Sequence, residues 1–300
     1  FEVDTILRDS PVKSYITIME GCDKFCTFCV VPFLRGREIS RDPHSILEEA
    51  RRLADHGCVE LCLLGQNVNS YRYDNFDFAD LLVSLHEIPS IQRIRYTSPH
   101  PNDINPKVMD LYGSLSKIAR NLHLPLQAGS NDVLRRMKRD YTREIYLEKV
   151  SYLRKRRPDI AFSTDIIVGF PGETEEDFQL TMDIVRSVEY FNIFSFHYSP
   201  RPYTAALKLN DDVSEEGKSA RLTQLQQEQK EIQLRLNRSL IGSTQRILVE
   251  SHSKRNDAFL SGRTSCNRVV NFEGDEDLIG RFVPVVVQSA TANCLIGAIA

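Results

Sequence analysis

Three cysteines near the start of the chain have the spacing of metal ligands. Cys22, Cys26 and Cys29 form a CxxxCxxC pattern inside the stretch EGCDKFCTFCVVPFLRGR. A tetrahedral zinc site normally takes four protein ligands, whereas three close cysteines suit a cubane iron–sulfur cluster that keeps one iron open. Two alternatives stay open, namely a zinc site completed by a distant cysteine and three unrelated core cysteines. We interpret the triplet as an iron site that binds a further molecule.

The triplet follows an alternating apolar run, Ser14 to Met19, that predicts a β-strand. Helical and strand-like patterns then alternate along the chain. The predicted strands are 59–64, 92–98, 121–126, 160–168 and 192–198, and the predicted helices begin near 42, 77, 105, 130 and 174. Six strands separated by helices predict a parallel α/β sheet whose ligands bind beyond the carboxyl ends of the strands. The periodicity leaves open whether that sheet is doubly wound or closed into a barrel.

The pattern changes in the last third of the chain. Residues 213–240 predict a long helix, and five short β runs follow within 246–298. Several short strands in so few residues predict a small barrel of OB-like type. We therefore expect two domains, a large one over 1–240 and a small one over 241–300.

Composition describes an ordinary globular protein. Of the 300 residues, 41% are hydrophobic and 26% charged, and no apolar run reaches the roughly 18 residues that a membrane helix needs. The seven cysteines are odd in number and lack the spacing of a disulfide framework, which favours a reducing compartment. We expect a cytoplasmic protein that acts away from membranes, with Cys58, Cys62, Cys266 and Cys294 as buried strand thiols.

Charge is unevenly distributed although the net charge is only -3. The segment 135–157 holds ten Lys/Arg and three acids, a local charge of +7. Within 246–268 the basic residues are Arg246, Lys254, Arg255, Arg263 and Arg268. A solvated helix face and a phosphate-binding surface for RNA both explain the first segment, and one face of the small barrel is a further candidate for RNA.

The cysteine stretch also carries a resemblance. CxxxCxxC after the first strand, with an aromatic residue before the last cysteine, resembles the radical S-adenosylmethionine (SAM) superfamily. The longer string GCDKFCTFCVVPFLRGREISR is similar to the methylthiotransferases within it. The stretches LLGQNVNSY, HLPLQAGSNDVLRRMKRDYT, TDIIVGFPGETEEDF and GRTSCNRVVNF resemble their tRNA-modifying MiaB branch. These matches span nearly all of the chain.

The resemblance implies a fold, cofactors and an activity. The fold is α/β, a partial (β/α)6 radical-SAM barrel followed by a small all-β TRAM (OB-like) barrel that binds RNA. The cofactors are a [4Fe-4S] cluster on the three cysteines and SAM, which the reduced cluster cleaves to a 5′-deoxyadenosyl radical. The activity is addition of a methylthio group to carbon 2 of N6-isopentenyladenosine beside the tRNA anticodon. The partners are tRNA and an external, flavodoxin-like electron donor, and we expect a monomer.

The resemblance also implies where SAM binds. Gln66 and Asn67 end the second predicted strand, where the superfamily contacts the SAM amino group, although a simple turn explains them equally. Gln127 and Ser130 follow the fourth strand, near the expected SAM ribose or carboxylate, and Ser130 alternatively caps the next helix. Gly169 and Gly172 follow the fifth strand and allow close approach of the adenine. Ser98, His100, Tyr198 and Arg201 end other strands and are candidates for the substrate side.

The family carries a second [4Fe-4S] cluster on three cysteines of an N-terminal domain. No matching triplet occurs in these 300 residues, so we expect that cluster only in a longer chain and expect this chain to be incomplete for sulfur insertion. Two alternative functions stay open. One is a methylthiotransferase acting on an aspartate of a ribosomal protein, and the other is a non-catalytic RNA-binding metal protein.

Overall fold

A computed structural model describes residues 12–254 and 256–300, with only the main chain described at residues 256 and 257. Parallel strands form the inner wall of the large domain. They are β1 (Lys13–Thr17), β2 (Glu60–Leu64), β3 (Arg93–Tyr96), β4 (Asn121–His123), β5 (Ala161–Val168) and β6 (Asn192–His197). β1, β2 and β3 pair in that order, as do β4, β5 and β6, and a single bridge between Ile94 and Ile118 joins the two halves.

Helices connect the strands and cover the outer face of the wall. They are α1 (Pro43–Asp55), α2 (Phe78–His86), α3 (Pro106–Ser114), α4 (Asn131–Arg136), α5 (Arg143–Arg156) and α6 (Glu175–Val188). Local sequence fixes their starts. The Asp42 carboxylate accepts the His44 N–H at 3.0 Å, and Thr174 and Asp177 form a reciprocal capping box. None of the helices in the described ranges combines the length and apolar character that a bilayer-spanning segment requires.

The strand order makes a partial (β/α)6 barrel, as expected. Within the described residues no pairing joins β1 to β6, so the wall is open between these two strands. Side chains alternate along each strand. Ile16, Leu61 and Ile166 point outward into the helix-covered core, while Tyr15, Cys62 and Asp165 point into the lumen. The strands predicted over 92–98 and 121–126 end earlier than predicted, at Tyr96 and His123.

Short elements surround the first loop. A one-turn helix, Val31–Arg35, follows the cysteines, and a two-residue strand pair, Met19–Glu20 with Ile39–Ser40, closes the loop. A second small pair, Arg72–Tyr73 with Phe76–Asp77, precedes α2. Single 3-10 turns span Val68–Ser70, Ala205–Lys208 and Glu276–Leu278.

A long helix, α7 (Glu215–Arg238), leads to the small C-terminal barrel. That barrel contains β7 (Thr244–Ser253), β8 (Asn256–Arg263), β9 (Val269–Glu273), β10 (Phe282–Ala290) and β11 (Leu295–Ile299). Its strands close in the order β7-β8-β9-β11-β10 around a separate apolar core. The predicted buried strand thiols are only partly confirmed. Cys58 and Cys62 are buried, but Cys266 and Cys294 are partly exposed because they lie in turns outside the strands.

A buried charge cluster joins the two barrels. Glu60, at the start of β2, accepts hydrogen bonds at 3.0 Å from Arg93 Nη1 and Arg95 Nε. The same two guanidinium groups donate to main-chain carbonyl oxygens at the end of β8 and in the turn that follows it. These bonds run from Arg93 to residue 263 at 3.2 Å, and from Arg95 to residues 264 and 265 at 2.8 and 3.1 Å. The amino ends of β2 and β3 therefore support the C-terminal barrel.

Candidate metal centre and cofactor cavity

The cysteine loop is anchored on both sides by hydrogen bonds. The Gly21 N–H donates to Gln66 Oε1 at 2.7 Å, and the Cys22 N–H donates to the Gly36 carbonyl at 3.1 Å. Gly21 has a φ of +80°, and a Cβ there would lie 1.9 Å from the Arg37 carbonyl oxygen, so only glycine fits. On the far side, the Thr27 hydroxyl donates to the Arg136 carbonyl at 2.8 Å. The loop is held against the ends of β2 and α4.

All three cysteines line one cavity of about 310 Å³ at the carboxyl ends of the strands. Gln66, Asn67 and Gln127, three of the predicted SAM-binding residues, line the same cavity. Gln127 adopts a φ of +70°, and its main chain pairs with β5 through the Asp165 carbonyl at 2.8 Å. The structure thus brings together residues that lie more than 100 positions apart in sequence.

Burial makes two of the thiols poor acids. It raises the pKa of Cys22 to about 11 and raises the pKa of Cys29 above its ordinary value. A thiolate at either position needs nearby positive charge, which bound iron supplies. The chemistry of the donor set therefore fits an iron–sulfur cluster.

The side chain of Arg139 places a positive charge beside Cys26. Its Nη1 donates to the Cys26 sulfur at 3.3 Å, its Nη2 to the Pro125 carbonyl at 3.1 Å and its Nε to the Tyr141 hydroxyl at 3.1 Å. The sequence analysis missed this role, because Arg139 was only one charge of the basic segment 135–157. Its position in the matched stretch ending MKRDYT was the available signal, but that stretch does not show that the side chain turns inward.

His100 forms part of the wall of the cavity. Its Nδ1 accepts the Asn102 N–H at 3.2 Å, which places the ring proton on Nε2. Nε2 is buried with no hydrogen-bond partner among the described residues. Burial, with Arg139 and Lys24 nearby, lowers the pKa of His100 to about 2, so the ring is a neutral donor. His100 therefore forms part of the cavity wall as a neutral ring.

The three sulfurs line the cavity without meeting at a point. In the part of the chain that the structure describes, no three His, Cys, Asp or Glu side chains lie close enough to hold a single metal ion. A cubane cluster takes each thiolate on a different iron, so its ligands surround a volume and do not converge on one atom.

Ser130, Gly169 and Gly172 lie outside the lining of this cavity. The Ser130 hydroxyl accepts the Asp132 N–H at 3.2 Å and so caps α4, which was the alternative explanation for it. The Gly169 N–H donates to Glu173 at 2.6 Å, and the Gly172 N–H donates to Asp212 at 2.7 Å. Their assignment to SAM stays a prediction.

Of the candidates for the substrate side, some line the cysteine cavity and others lie outside it. Ser98 and His100 line the cysteine cavity. Tyr198 is buried, with its ring 5.2 Å from that of Phe170, and Arg201 is exposed. Of these four candidates for the substrate side, two therefore line the cysteine cavity.

Most of the basic segment 135–157 serves the fold. Seven of its ten Lys/Arg side chains bind protein groups: Arg135, Arg136, Arg139, Lys149, Arg154, Arg156 and Arg157. Lys149, for example, donates to the carbonyl of Pro101 at 2.6 Å, and Arg157 to that of Tyr112 at 2.7 Å. These contacts favour a structural explanation over an RNA surface. In the small barrel, Arg263 and Arg268 lie beside a second cavity, and Arg255 lies outside the described residues.

A partial parallel barrel with three cysteines at its mouth defines a class of protein, and comparison with known families agrees. The profile of the Radical SAM superfamily matches residues 16–185, and that of the TRAM domain matches residues 238–300. Solved structures agree on the fold. The radical SAM methyltransferase TsrM from Kitasatospora setae superposes with a TM-score of 0.54 at 20% identity, over 64% of this chain and 38% of its own. Coproporphyrinogen III oxidase HemN from Escherichia coli gives 0.52 at 18% identity, over 72% and 53%.

Curated relatives narrow the class. Three proteins named tRNA-2-methylthio-N(6)-dimethylallyladenosine synthase illustrate the match. The one from Solibacter usitatus is 44% identical over 99% of this chain and 68% of its own length. Those from Alteromonas mediterranea and Geobacter sulfurreducens are 48% and 47% identical, over 95% and 96% of this chain and 61% and 65% of theirs. The chain belongs to the radical SAM superfamily and, within it, to the methylthiotransferase family of these synthases. It spans about two thirds of their length.

Proposed function

We propose that this chain is the radical-generating and RNA-binding part of a tRNA methylthiotransferase. The target is carbon 2 of N6-isopentenyladenosine, at the position beside the anticodon. Relatives that share 44–49% identity with nearly the whole chain carry this substrate class in their names, which supports the proposal. The observation that carries it is the position of the cysteine cavity, which shares Ser98, His123 and Asp165 with a lumen cavity lined in part by Arg263 and Arg268 of the TRAM barrel.

The chain's own residues bind and orient the cofactors. Cys22, Cys26 and Cys29 hold the [4Fe-4S] cluster, and Gln66, Asn67 and Gln127 contact the polar groups of SAM. When bound and reduced, the cluster supplies the electron that cleaves SAM. The Arg139 guanidinium balances the charge of the Cys26 thiolate, and His100 adds a neutral ring to the cavity wall. We also assign Ser130, Gly169 and Gly172 to SAM binding, because they shape the loops that follow the fourth and fifth strands.

We further propose a division between a domain over 1–240 and one over 241–300. Support comes from α7, which ends at Arg238, and from β7, which begins at Thr244. The protein works as a cytoplasmic monomer that receives electrons from an external flavodoxin-like donor. The stretch GRTSCNRVVNF, the cysteine stretch and the names of the relatives are the reason to prefer tRNA over a ribosomal-protein aspartate as substrate.

The test is anaerobic reconstitution with iron and sulfide, followed by measurement of 5′-deoxyadenosine released from SAM. We expect isopentenylated tRNA to stimulate release more strongly than the same tRNA without the isopentenyl group. A peptide from a ribosomal protein serves as the competing substrate. Stimulation by that peptide and not by tRNA contradicts the proposed substrate, and a colourless protein that binds only zinc contradicts the proposed chemistry.

A further inference from the structure

A cavity lies in the barrel lumen, on the side toward the C-terminal barrel. Its volume is about 660 Å³, within the usual range for small-molecule sites. The wall comes from three parts of the fold: the lumen faces of the strands, α7 through Gln233 and Asn237, and the TRAM barrel through Arg263 and Arg268. A molecule that binds the TRAM barrel therefore has direct access to the interior of the large domain.

The lumen cavity meets the cysteine cavity at three shared residues. Ser98, His123 and Asp165 line both. A group held at these residues lies between the cofactor side and the RNA side of the molecule. This is the position that a target base requires if its carbon is to react.

Two of the shared residues, His123 and Asp165, form a polar triplet with Ser163 of the lumen wall. The His123 Nε2 lies 3.3 Å from Asp165 Oδ2, and its Nδ1 lies 3.0 Å from the Ser163 hydroxyl. Both ring nitrogens are thus engaged, which fixes the orientation of the imidazole. The Asp165 side chain is 30% exposed within the lumen and keeps acceptor capacity toward the cavity.

Two aromatic side chains flank the triplet. Tyr15 is 49% exposed and Phe194 is 51% exposed, although both point into the lumen and line its cavity. They lie on β1 and β6, the two strands that border the opening of the barrel wall. The Phe194 ring is 5.8 Å from the His123 ring at an interplanar angle of 72°. Large aromatic faces left accessible inside a cavity are suited to stacking on a flat ligand.

We propose that this lumen is a site for the target purine, in which the base stacks on Tyr15 and Phe194 and donates its amino hydrogen to Asp165. The inference rests on the proposed function and deepens it by naming the residues that select the base. Enzymes that act on a base take it out of its stack and bind it with aromatic side chains and hydrogen bonds. Adenine carries a 6-amino donor that an isopentenyl group leaves with one hydrogen. A 6-oxo purine presents an acceptor there and is repelled by the carboxylate.

The test measures binding of anticodon stem-loop RNA by fluorescence anisotropy at one fixed salt concentration. Tyr15→Ala and Phe194→Ala should each weaken binding of isopentenylated RNA by roughly 5- to 100-fold, the usual effect of losing one base-stacking contact. Tyr15→Phe should restore binding, since it keeps the ring. Tyr73→Ala, a partly exposed tyrosine on a surface hairpin, is the matched control. If an alanine variant unfolds, Tyr15→Leu and Phe194→Leu replace it, because they keep an apolar side chain.

Asp165→Asn tests recognition of the amino group. Wild-type protein should prefer RNA with adenosine at the target position over RNA with inosine by roughly tenfold, and Asp165→Asn should remove that preference. Asp183→Asn, an exposed acid on α6, is the control. If wild-type protein binds RNA and all these variants bind it equally, the lumen site is wrong while the proposed function stands. If wild-type protein binds no tRNA stem-loop, both are wrong.

Discussion

The guanidinium of Arg139 lies 3.3 Å from the sulfur of Cys26, in a position closed to solvent. A cationic donor at a cluster ligand favours the reduced cluster, because reduction adds negative charge that the cation stabilises. The remaining donors of Arg139 bind Pro125 and Tyr141, so the charge is fixed in place. The pair therefore connects the metal loop to the fourth strand of the barrel.

Arg139→Gln should lower the midpoint potential of the cluster and weaken cluster retention by about 10- to 100-fold, as is typical when a partner of a metal ligand is removed. Potentiometry followed by electron paramagnetic resonance measures the first effect, and iron release to a chelator measures the second. Lys138→Gln, at the exposed neighbour, is the control and should change neither. An unchanged potential in Arg139→Gln would mean that the contact only supports the fold.

Replacement of Cys22, Cys26 or Cys29 by alanine should each abolish cluster assembly, because a cubane with fewer than three protein ligands is poorly held. Iron and acid-labile sulfide per chain are the measurements, with about four irons expected in the unmodified protein. Cys62→Ala, at a buried thiol of the lumen wall, should load iron normally. Normal iron content in any of the three loop variants argues against the ligand assignment.

Glu60→Gln should lower the free energy of unfolding by about 3–5 kcal/mol at pH 7, since it leaves Arg93 and Arg95 buried without their counter-charge. Burial opposes ionisation of Glu60, but Arg95, Arg93 and Lys13 outweigh it and hold its pKa below the ordinary value. The stabilisation is thus present above the unfolded pKa and is lost as pH falls through the lower folded pKa. Urea denaturation should show the variant and wild-type curves converging in acid.

Asp159→Asn is the matched control for Glu60→Gln. Its ion pair with Arg120 is exposed on both sides, so water screens it and the loss should be several-fold smaller. Equal losses in the two variants would contradict the special role of the buried cluster.

The contribution of Glu173 to stability should change with pH in the direction opposite to that of Glu60. Burial raises its pKa to about 7 from an ordinary value of 4.5, although the Gly169 N–H and Arg221 favour the charged form. The unfolded chain releases this proton near pH 4.5 while the folded chain keeps it, so stability falls as pH rises from about 4.5 to 7. Glu173→Gln should remove up to about 3 kcal/mol of that decline. Unfolding measured across this range tests the point, and parallel curves for variant and wild type would refute it.

Sequence patterns predicted most of the fold because they act over short distances. Asp42 and the Thr174–Asp177 box mark helix starts that need only neighbouring backbone groups. The alternation in β1 and β5 separates lumen residues from core residues. Each of these signals is complete within about ten residues.

The site was less accessible because its contacts join distant segments. The three cysteines can be recognised as ligands from their spacing in the sequence. In contrast, Arg139 lies 113 positions from Cys26, and His123 contacts Asp165 on a neighbouring strand. The sequence also predicted burial for two cysteines that the structure places in turns. Cys266 and Cys294 flank apolar strands and were expected inside, yet the chain reverses direction at both and leaves them partly exposed.

The hydrogen bonds from Arg93 and Arg95 to the turn at residues 263–265 end on main-chain carbonyls. Every amino acid carries the same carbonyl, so these particular hydrogen bonds do not depend on the side chains of the turn, although the Ser265 hydroxyl adds a contact by accepting the Arg120 N–H at 3.0 Å. An insertion or deletion in the turn moves the carbonyls and breaks these hydrogen bonds. This part of the contact between the two barrels therefore depends on the length of the turn, while side-chain contacts such as that of Arg246 with Gln92 depend on residue identity.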